Sequence, residues 1–242
     1  MTGKKSITIF GATGSVGGST LSLVREHPDS FTPHALTAHR DYQGLAKLAL
    51  EFKPAHAVIA DEAFYTPLSE ALAGTGIKVA AGAQALIDIA AQKVDLIVAA
   101  IVGVAGLAPV WKAVEAGQTI ALANKEALVS AGHLIMPAAR KSGANLLPID
   151  SEHNAIFQCL RRESHEHIEH IILTASGGPF REMTLAEMQQ VTIEQALQHP
   201  NWSMGPKITI DSATMMHKGL ELIEAAWLFD EGAKKLDAII HP

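Results

Sequence analysis

Short β-branched runs alternate with Ala- and Leu-rich stretches along the N-terminal part of the chain. Strands are predicted over 7–10, 34–38, 57–59, 96–100, 119–122 and 145–147. The segments 19–26, 42–52, 84–91, 109–116 and 125–141 carry the spacing of amphipathic helices. Such alternation predicts βαβ units around a parallel sheet, here a doubly wound, Rossmann-like α/β domain over 1–149. After Ile149 the texture changes, and polar and glycine clusters at 150–154, 176–178 and 198–205 separate fewer elements. An α+β second domain is therefore expected over 150–242. Its last apolar run, 236–240, reads as a strand with almost no chain beyond it, so this domain is expected to be C-terminally incomplete. No solenoid repeat or low-complexity tract is visible.

Composition narrows the class. With 48% hydrophobic and 18% charged residues, the chain can fill a core and is not a disordered one. Lys plus Arg number 19 against 25 Asp plus Glu, a net charge of −6, so no overall positive field invites nucleic acid or an anionic membrane. Any phosphate binding must be local. The uncharged stretch 96–111 contains Gly103, Gly106 and Pro109, and it is shorter than the roughly 20 apolar residues of a membrane span. Lys4 and Lys5 lead straight into a strand with no signal-peptide pattern. A single cysteine, Cys159, cannot form an intramolecular disulfide and fits a reducing compartment. A cytoplasmic enzyme is the expectation.

Between the first strand and first helix lies Gly11-Ala12-Thr13-Gly14-Ser15-Val16-Gly17-Gly18. Glycines at this spacing let the backbone turn tightly and approach a pyrophosphate held by helix N–H groups, although an ordinary βα turn would look similar. The second strand ends in His39-Arg40-Asp41. An arginine at that place suits the 2′-phosphate of NADPH, where an acidic residue would suit NADH. The adjacent Asp41 leaves a solvated turn as the other reading.

Asp150-Ser151-Glu152-His153-Asn154 follows a strand and opens a helix, where Asp150 can be an N-cap and Glu152 a first-turn acid. A second acidic site shifts the balance. On a helix predicted over 213–229, Met215, Leu222, Ala225, Ala226 and Phe229 form one apolar stripe, with Lys218 inside it and Glu221 at its edge. Charges there need partners, so both are expected to face a polar site, with Glu224 left on the solvated side. Carboxylates with substrate oxygens suit a hard divalent cation. His165, His167 and His170 read instead as an exposed polar lead-in to a strand. Ser176-Gly177-Gly178-Pro179 can offer a hydroxyl and N–H groups to a phosphate, or be a plain turn. The segment 198–205, with Trp202 as an exposed indole or a core anchor, suits a closing lid.

Together these runs resemble the 1-deoxy-D-xylulose 5-phosphate reductoisomerase family. The resemblance is carried by Gly-x-Thr-Gly-Ser-x-Gly from Gly11, by Asn124-Lys125-Glu126, and by the run from Asp150 through Gln158. It continues in Ser176-Gly177-Gly178-Pro179-Phe180-Arg181-Glu182, in His199-Pro200-Asn201-Trp202-Ser203-Met204-Gly205, and in Asp211-Ser212-Ala213-Thr214-Met215-Met216 followed by Lys218-Gly219-Leu220-Glu221. The resemblance implies NADPH-dependent conversion of 1-deoxy-D-xylulose 5-phosphate to 2-C-methyl-D-erythritol 4-phosphate, a step of isoprenoid precursor synthesis. It implies a divalent metal (Mg²⁺, Mn²⁺ or Co²⁺) on Asp150, Glu152 and Glu221. The sugar phosphate would meet Lys125, Ser151, Glu152, Ser176, His199, Ser212, His217, Lys218 and Glu221, with Lys125 and the three acids in the catalytic group. NADPH would meet Thr13, Gly14, Ser15, Val16, Arg40, Asn124, Glu126 and Gly205. A homodimer is also implied, with no nucleic-acid or membrane partner. His39 and Asp41 flank Arg40 where Gly and Asn commonly flank a Lys, and His217 stands where Asn is usual. Two other readings stay open: a different NADP-dependent, metal-assisted dehydrogenase, or an inactive dinucleotide-binding fragment.

Overall fold

The computed structural model describes residues 3–160, 165–201 and 205–241. The chain divides into two compact units, Met1–Asp150 and Ser151–Pro242.

In the first unit, β1 (Lys5–Phe10) leads to α1 (Ser15–Glu26), β2 (Phe31–Ala38), α2 (Tyr42–Phe52) and β3 (His56–Ile59). A 3-10 turn, Glu62–Phe64, then precedes α3 (Tyr65–Ala71), β4 (Lys78–Ala81), α4 (Gly82–Ala90) and β5 (Leu96–Ala99). The unit closes with α5 (Leu107–Glu115), β6 (Thr119–Leu122), α6 (Lys125–Ser142) and β7 (Asn145–Pro148). The seven strands lie in the order β4-β3-β2-β1-β5-β6-β7, and every neighbouring pair is parallel. A helix between consecutive strands carries the chain back to the end it started from, so neighbouring strands run parallel. The winding reverses between β1 and β5, which opens a crevice at the carboxyl ends of those strands. Ile7, Ile9, Leu36, Ala57, Ile59 and Val98 fill the sheet layer, and Leu21, Val24, Leu45 and Leu68 pack on it from the helices.

Three elements depart from the sequence pattern, the first being the short helix α3, Tyr65–Ala71, where no helix is predicted. Helix α1 starts at Ser15 rather than at 19, because Gly17 and Gly18 are helical and only a side-chain-free residue fits the tight packing at Gly17. Strand β4 is invisible to periodicity: Lys78-Val79-Ala80-Ala81 is short, poor in β-branched residues and sits at the sheet edge.

The second unit contains α7 (Ser151–Leu160), β8 (Ile171–Ala175), the one-turn helices α8 (Leu185–Met188) and α9 (Ile193–Ala196), α10 (Pro206–Ala213), α11 (Met216–Leu228) and β9 (Leu236–Ile240). Strands β8 and β9 pair in parallel, with Ile171 opposite Leu236. Its core joins Ile171 and Leu173 to Ala225 and Phe229, flanked by Ile156, Phe157 and Leu160 of α7. Reciprocal capping boxes, Thr184 with Glu187 and Thr192 with Gln195, hold the two shortest helices. The single helix expected over 213–229 is two helices. Met215 takes a left-handed conformation at φ 66° and breaks the run between α10 and α11, an interruption too short to disturb the apolar period.

Gln118, buried just ahead of β6, donates from Nε2 to the Gln92 carbonyl at 2.7 Å, while its Oε1 accepts from the Val94 N–H. Replacing it by Leu strips both backbone groups of their partner, so Gln118→Leu should lower the unfolding free energy by about 1–3 kcal/mol in urea titration. No change would show that water serves those groups equally well.

Candidate functional site

The glycine turn is built by close backbone approach. Gly11 has φ +81°, and a Cβ there would lie 2.8 Å from the Ala100 carbonyl oxygen at the end of β5. A Cβ at Gly17 would lie 2.3 Å from the Gly11 carbonyl oxygen. The turn is anchored to β2, where the Ala12 N–H donates to the Thr37 carbonyl at 2.7 Å and the Gly11 N–H to Thr37 Oγ1 at 3.1 Å. Gly14 caps α1 without a side chain, and Thr13, Gly14, Ser15 and Val16 are exposed. The first N–H groups of a helix have no acceptor within it, so this exposed end can receive an anion.

Arg40 lies two residues past β2, and its Nε donates to Asp61 Oδ2 at 2.8 Å. Asp41 does not compete for a ribose here: its carboxylate caps α2 by accepting the Gly44 N–H at 2.8 Å. Asn124 is buried and likewise capping, accepting the Ala127 N–H at 2.8 Å while its amide donates to the Gly103 carbonyl at 2.8 Å and to that of Ile101. It thereby ties the loop after β5 to the start of α6. Glu126 follows in the first turn of α6. Lys125, 6% exposed, places its ammonium 2.6 Å from Asp150 Oδ2 just beyond β7.

In the second unit the predicted charges of α11 are buried and paired. Lys218 is 6% and Glu221 0% exposed. The Lys218 ammonium lies 2.9 Å from Glu152 Oε1 and in contact with Glu221 Oε2, so one cation bridges carboxylates from α7 and α11. His217 Nε2 is 3.1 Å from Glu221 Oε1. Ser151 Oγ donates to Glu152 Oε2 at 2.6 Å. Burial by itself would raise the Glu152 carboxyl, but the Ser151 hydroxyl and the Lys218 ammonium overcome it and hold the group at about 2.

Glu224 overturns its expected place on the solvated side: it is 1% exposed and lies 3.5 Å from His153 Nδ1. His153 is itself fully buried, and its Nε2 donates to the Glu221 carbonyl at 2.9 Å. Helix α11 is covered on two sides, by the apolar core and by this polar contact with α7. A signal for His153 existed, since it shares a helical stripe with Ile156, Phe157 and Leu160. A titratable group inside an apolar stripe is the feature that singled out Lys218.

Gly178 packs where a Cβ would meet the Ser212 carbonyl oxygen at 2.0 Å, so the turn that begins at Ser176 lies directly on the end of α10. Ser212 is buried and its hydroxyl donates to the Thr209 carbonyl at 2.8 Å, while the Ser176 carbonyl accepts from Arg181. His199 Nδ1 accepts the Asn201 N–H at 3.1 Å, and Gly205 caps α10 ahead of Pro206. Trp202, the anchor of the expected lid, lies with Ser203 and Met204 outside the described residues.

Comparison with known proteins gives a consistent result. A family model described as 1-deoxy-D-xylulose 5-phosphate reductoisomerase matches residues 7–132. One described as the C-terminal domain of the same enzyme matches residues 146–229. Curated relatives of that name include one from Bradyrhizobium sp., 53% identical over 98% of this chain and 58% of its own length. Another, from Zymomonas mobilis, is 52% identical over 100% of this chain and 62% of its own. The chain thus spans about 60% of the length of the relatives it matches. Among solved structures, the Zymomonas mobilis reductoisomerase in complex with NADPH matches with a TM-score of 0.92 and 51% identity, over 99% of this chain and 62% of that one. A DOX-P reductoisomerase in complex with NADPH, fosmidomycin and magnesium matches with a TM-score of 0.92 and 46% identity, over 98% of this chain and 61% of that one.

The charge pairing in the second unit has a measurable consequence. A carboxyl at about 2 in the fold, against an ordinary 4.5, contributes stability that is full above 4.5 and is lost as pH falls toward 2. The unfolding free-energy difference between wild type and Glu152→Gln, measured in urea without added metal, should therefore shrink through that window. A difference independent of pH would show that Glu152 is not held ionised by Lys218.

Proposed function

The chain belongs to the 1-deoxy-D-xylulose 5-phosphate reductoisomerase family, and from that premise we propose that it carries the NADPH- and metal-dependent conversion of 1-deoxy-D-xylulose 5-phosphate to 2-C-methyl-D-erythritol 4-phosphate. The observation that carries this reading is the bridged pair Glu152–Lys218–Glu221, a buried constellation of opposite charges that an apolar contact between α7 and α11 does not need. In this reading residues 1–149 hold the dinucleotide and 150–242 the metal and sugar phosphate.

The residues fit both groups. Asp150, Glu152 and Glu221 offer only carboxylate oxygen, the donor type a hard divalent cation takes. The exposed start of α1, with the side-chain-free approach at Gly14, fits a pyrophosphate; Arg40 supplies local positive charge, and Asn124, Glu126 and Gly205 complete the proposed contacts. When bound, the ion draws electron density from the ketose oxygens and NADPH supplies the hydride.

The chain's own groups then have separable tasks. Lys125 Nζ, oriented by Asp150, donates hydrogen bonds to the sugar's reacting oxygens and can hand over a proton there. Lys218 Nζ helps hold Glu152 ionised and bridges it to Glu221, and Ser151 Oγ fixes the Glu152 carboxylate. Ser176, His199, Ser212, His217 and Lys218 grip the phosphate end and its neighbouring hydroxyls. Fixing both ends of a flexible ketose lowers the entropic part of the rearrangement barrier.

The protein is read as a cytoplasmic homodimer, the latter being testable by light scattering. Its only cysteine, Cys159, is free and exposed, which suits a reducing compartment. No helix among the described residues is long and apolar enough to cross a membrane.

The test is NADPH oxidation with 1-deoxy-D-xylulose 5-phosphate and Mg²⁺, the product being identified by NMR, for this chain alone and completed to the length of its relatives. The branched methylerythritol phosphate is expected; nicotinamide turnover with an unrearranged skeleton would favour a simple dehydrogenase instead. Glu221→Gln should weaken Mg²⁺ or Mn²⁺ binding and turnover by more than the roughly 10–100-fold typical of losing an outer-shell partner. NADPH affinity should stay nearly unchanged in that variant, and normal metal titration would remove Glu221 from the ligand set.

A further inference from the structure

The carboxyl ends of β2 and β3 carry a charged pair that the reaction itself does not use. Backbone pairing continues past both strands: the Ala60 N–H donates to the Ala38 carbonyl at 2.8 Å, and the Asp61 N–H to the His39 carbonyl at 3.0 Å. Arg40 and Asp61 therefore spring from a fixed frame. Just beyond, Tyr42 and Phe64 stack with ring centroids 5.9 Å apart, holding the turn after β2 against the turn after β3.

Asp61 is engaged on both oxygens. Oδ1 accepts the Ala63 N–H at 3.1 Å, and Oδ2 accepts Arg40 Nε at 2.8 Å. The Ala63 N–H first and the Arg40 guanidinium second hold this carboxyl below its ordinary range, so it is a full negative charge at neutral pH. Arg40 is tethered through Nε alone, which leaves both Nη nitrogens without a hydrogen-bond partner among the described residues; its side chain is 68% exposed against 25% for Asp61. A guanidinium anchored in this way presents its two terminal nitrogens as a preset fork, the geometry that grips a phosphate bidentately. Asp41 is turned to the N-terminus of α2 and His39 flanks the pair, so Arg40 is the group aimed outward. The fork stands beside the strand whose Thr37 anchors the glycine turn.

The geometry points to Asp61 as a positioning residue that orients Arg40 for the 2′-phosphate of NADPH, and hence as a determinant of NADPH over NADH. This rests on the NADPH reading above and extends it to a side chain in β3's turn, outside every motif that carries the family resemblance. An unanchored arginine at a surface turn spreads over many rotamers, and ordering it on binding would consume part of the phosphate contact's free energy.

The experiment is calorimetric binding of 2′,5′-ADP and 5′-AMP, two fragments that differ only by the phosphate in question, with NADPH and NADH as a second pair. In Asp61→Asn the side-chain oxygen can still accept from Ala63, but an amide then faces Arg40 Nε, donor against donor. Asp61→Asn should weaken 2′,5′-ADP and NADPH roughly three- to tenfold, the scale of one oriented and solvent-exposed charge-assisted contact, with 5′-AMP and NADH unchanged. Arg40→Ala should lose more, and adding Asp61→Asn to it should change nothing further. Unchanged or tighter 2′,5′-ADP binding in Asp61→Asn, or equal weakening of both fragments, overturns the positioning role while leaving the NADPH reading intact. A wild-type chain that binds the two fragments equally overturns the NADPH reading and this inference with it.

Discussion

A Cβ at Gly17 would lie 2.3 Å from the Gly11 carbonyl oxygen and 2.6 Å from the Ala12 Cα, so the start of α1 can rest on the turn after β1 only if backbone meets backbone. Gly11 makes the same demand on the other side, against the Ala100 carbonyl at the end of β5. These contacts fix where α1 begins, how deep it sits on the sheet, and that its first N–H groups emerge at the crevice where strand order reverses. The rest of the first unit follows from that seating. Thr37 braces the turn from β2, and Asn124 braces the loop after β5 from the head of α6. Substituting Gly17 would therefore disturb the packing of α1 on the turn.

The second unit depends on a different constraint, the pairing of buried charge. Lys218 and Glu221 leave water almost entirely when α11 packs, a cost that only an opposite charge in good geometry offsets. Glu152 from α7 supplies part of that compensation, and His153, one residue on, bonds the Glu221 backbone and faces Glu224. The polar contact of α7 with α11 is thus specified by a small set of ionisable groups rather than by volume. Such a contact is sensitive to pH through Glu152, whose carboxyl the Ser151 hydroxyl and the Lys218 ammonium hold low.

Much of this was legible in residue order. The strand-and-helix alternation located six of the seven strands of the main sheet, and the glycines between the first strand and helix located the tight turn ahead of α1. Lys218 and Glu221 betrayed their burial by lying in an apolar stripe. Strand β4 stayed hidden because an edge strand buries little and needs no β-branched run. The break at Met215 stayed hidden because two non-helical residues barely shift a period of 3.6. Glu224 departs from its expected exposure because a helical wheel assumes a single buried face, whereas α11 is covered on two.

The sequence by itself determined what is local or periodic: the parallel α/β class, the glycine turn, the change of texture near Ile149 and the motifs of the reductoisomerase family. Tertiary structure alone decided which charges meet. Asp61 answers Arg40 from the next strand, Asp41 turns to cap α2, and Lys218 spans Glu152 and Glu221. The physical reason is range. Propensity and periodicity act over a few residues, while an ion pair is fixed by a distance of a few ångström between atoms that the chain brings together only after its strands have found their order.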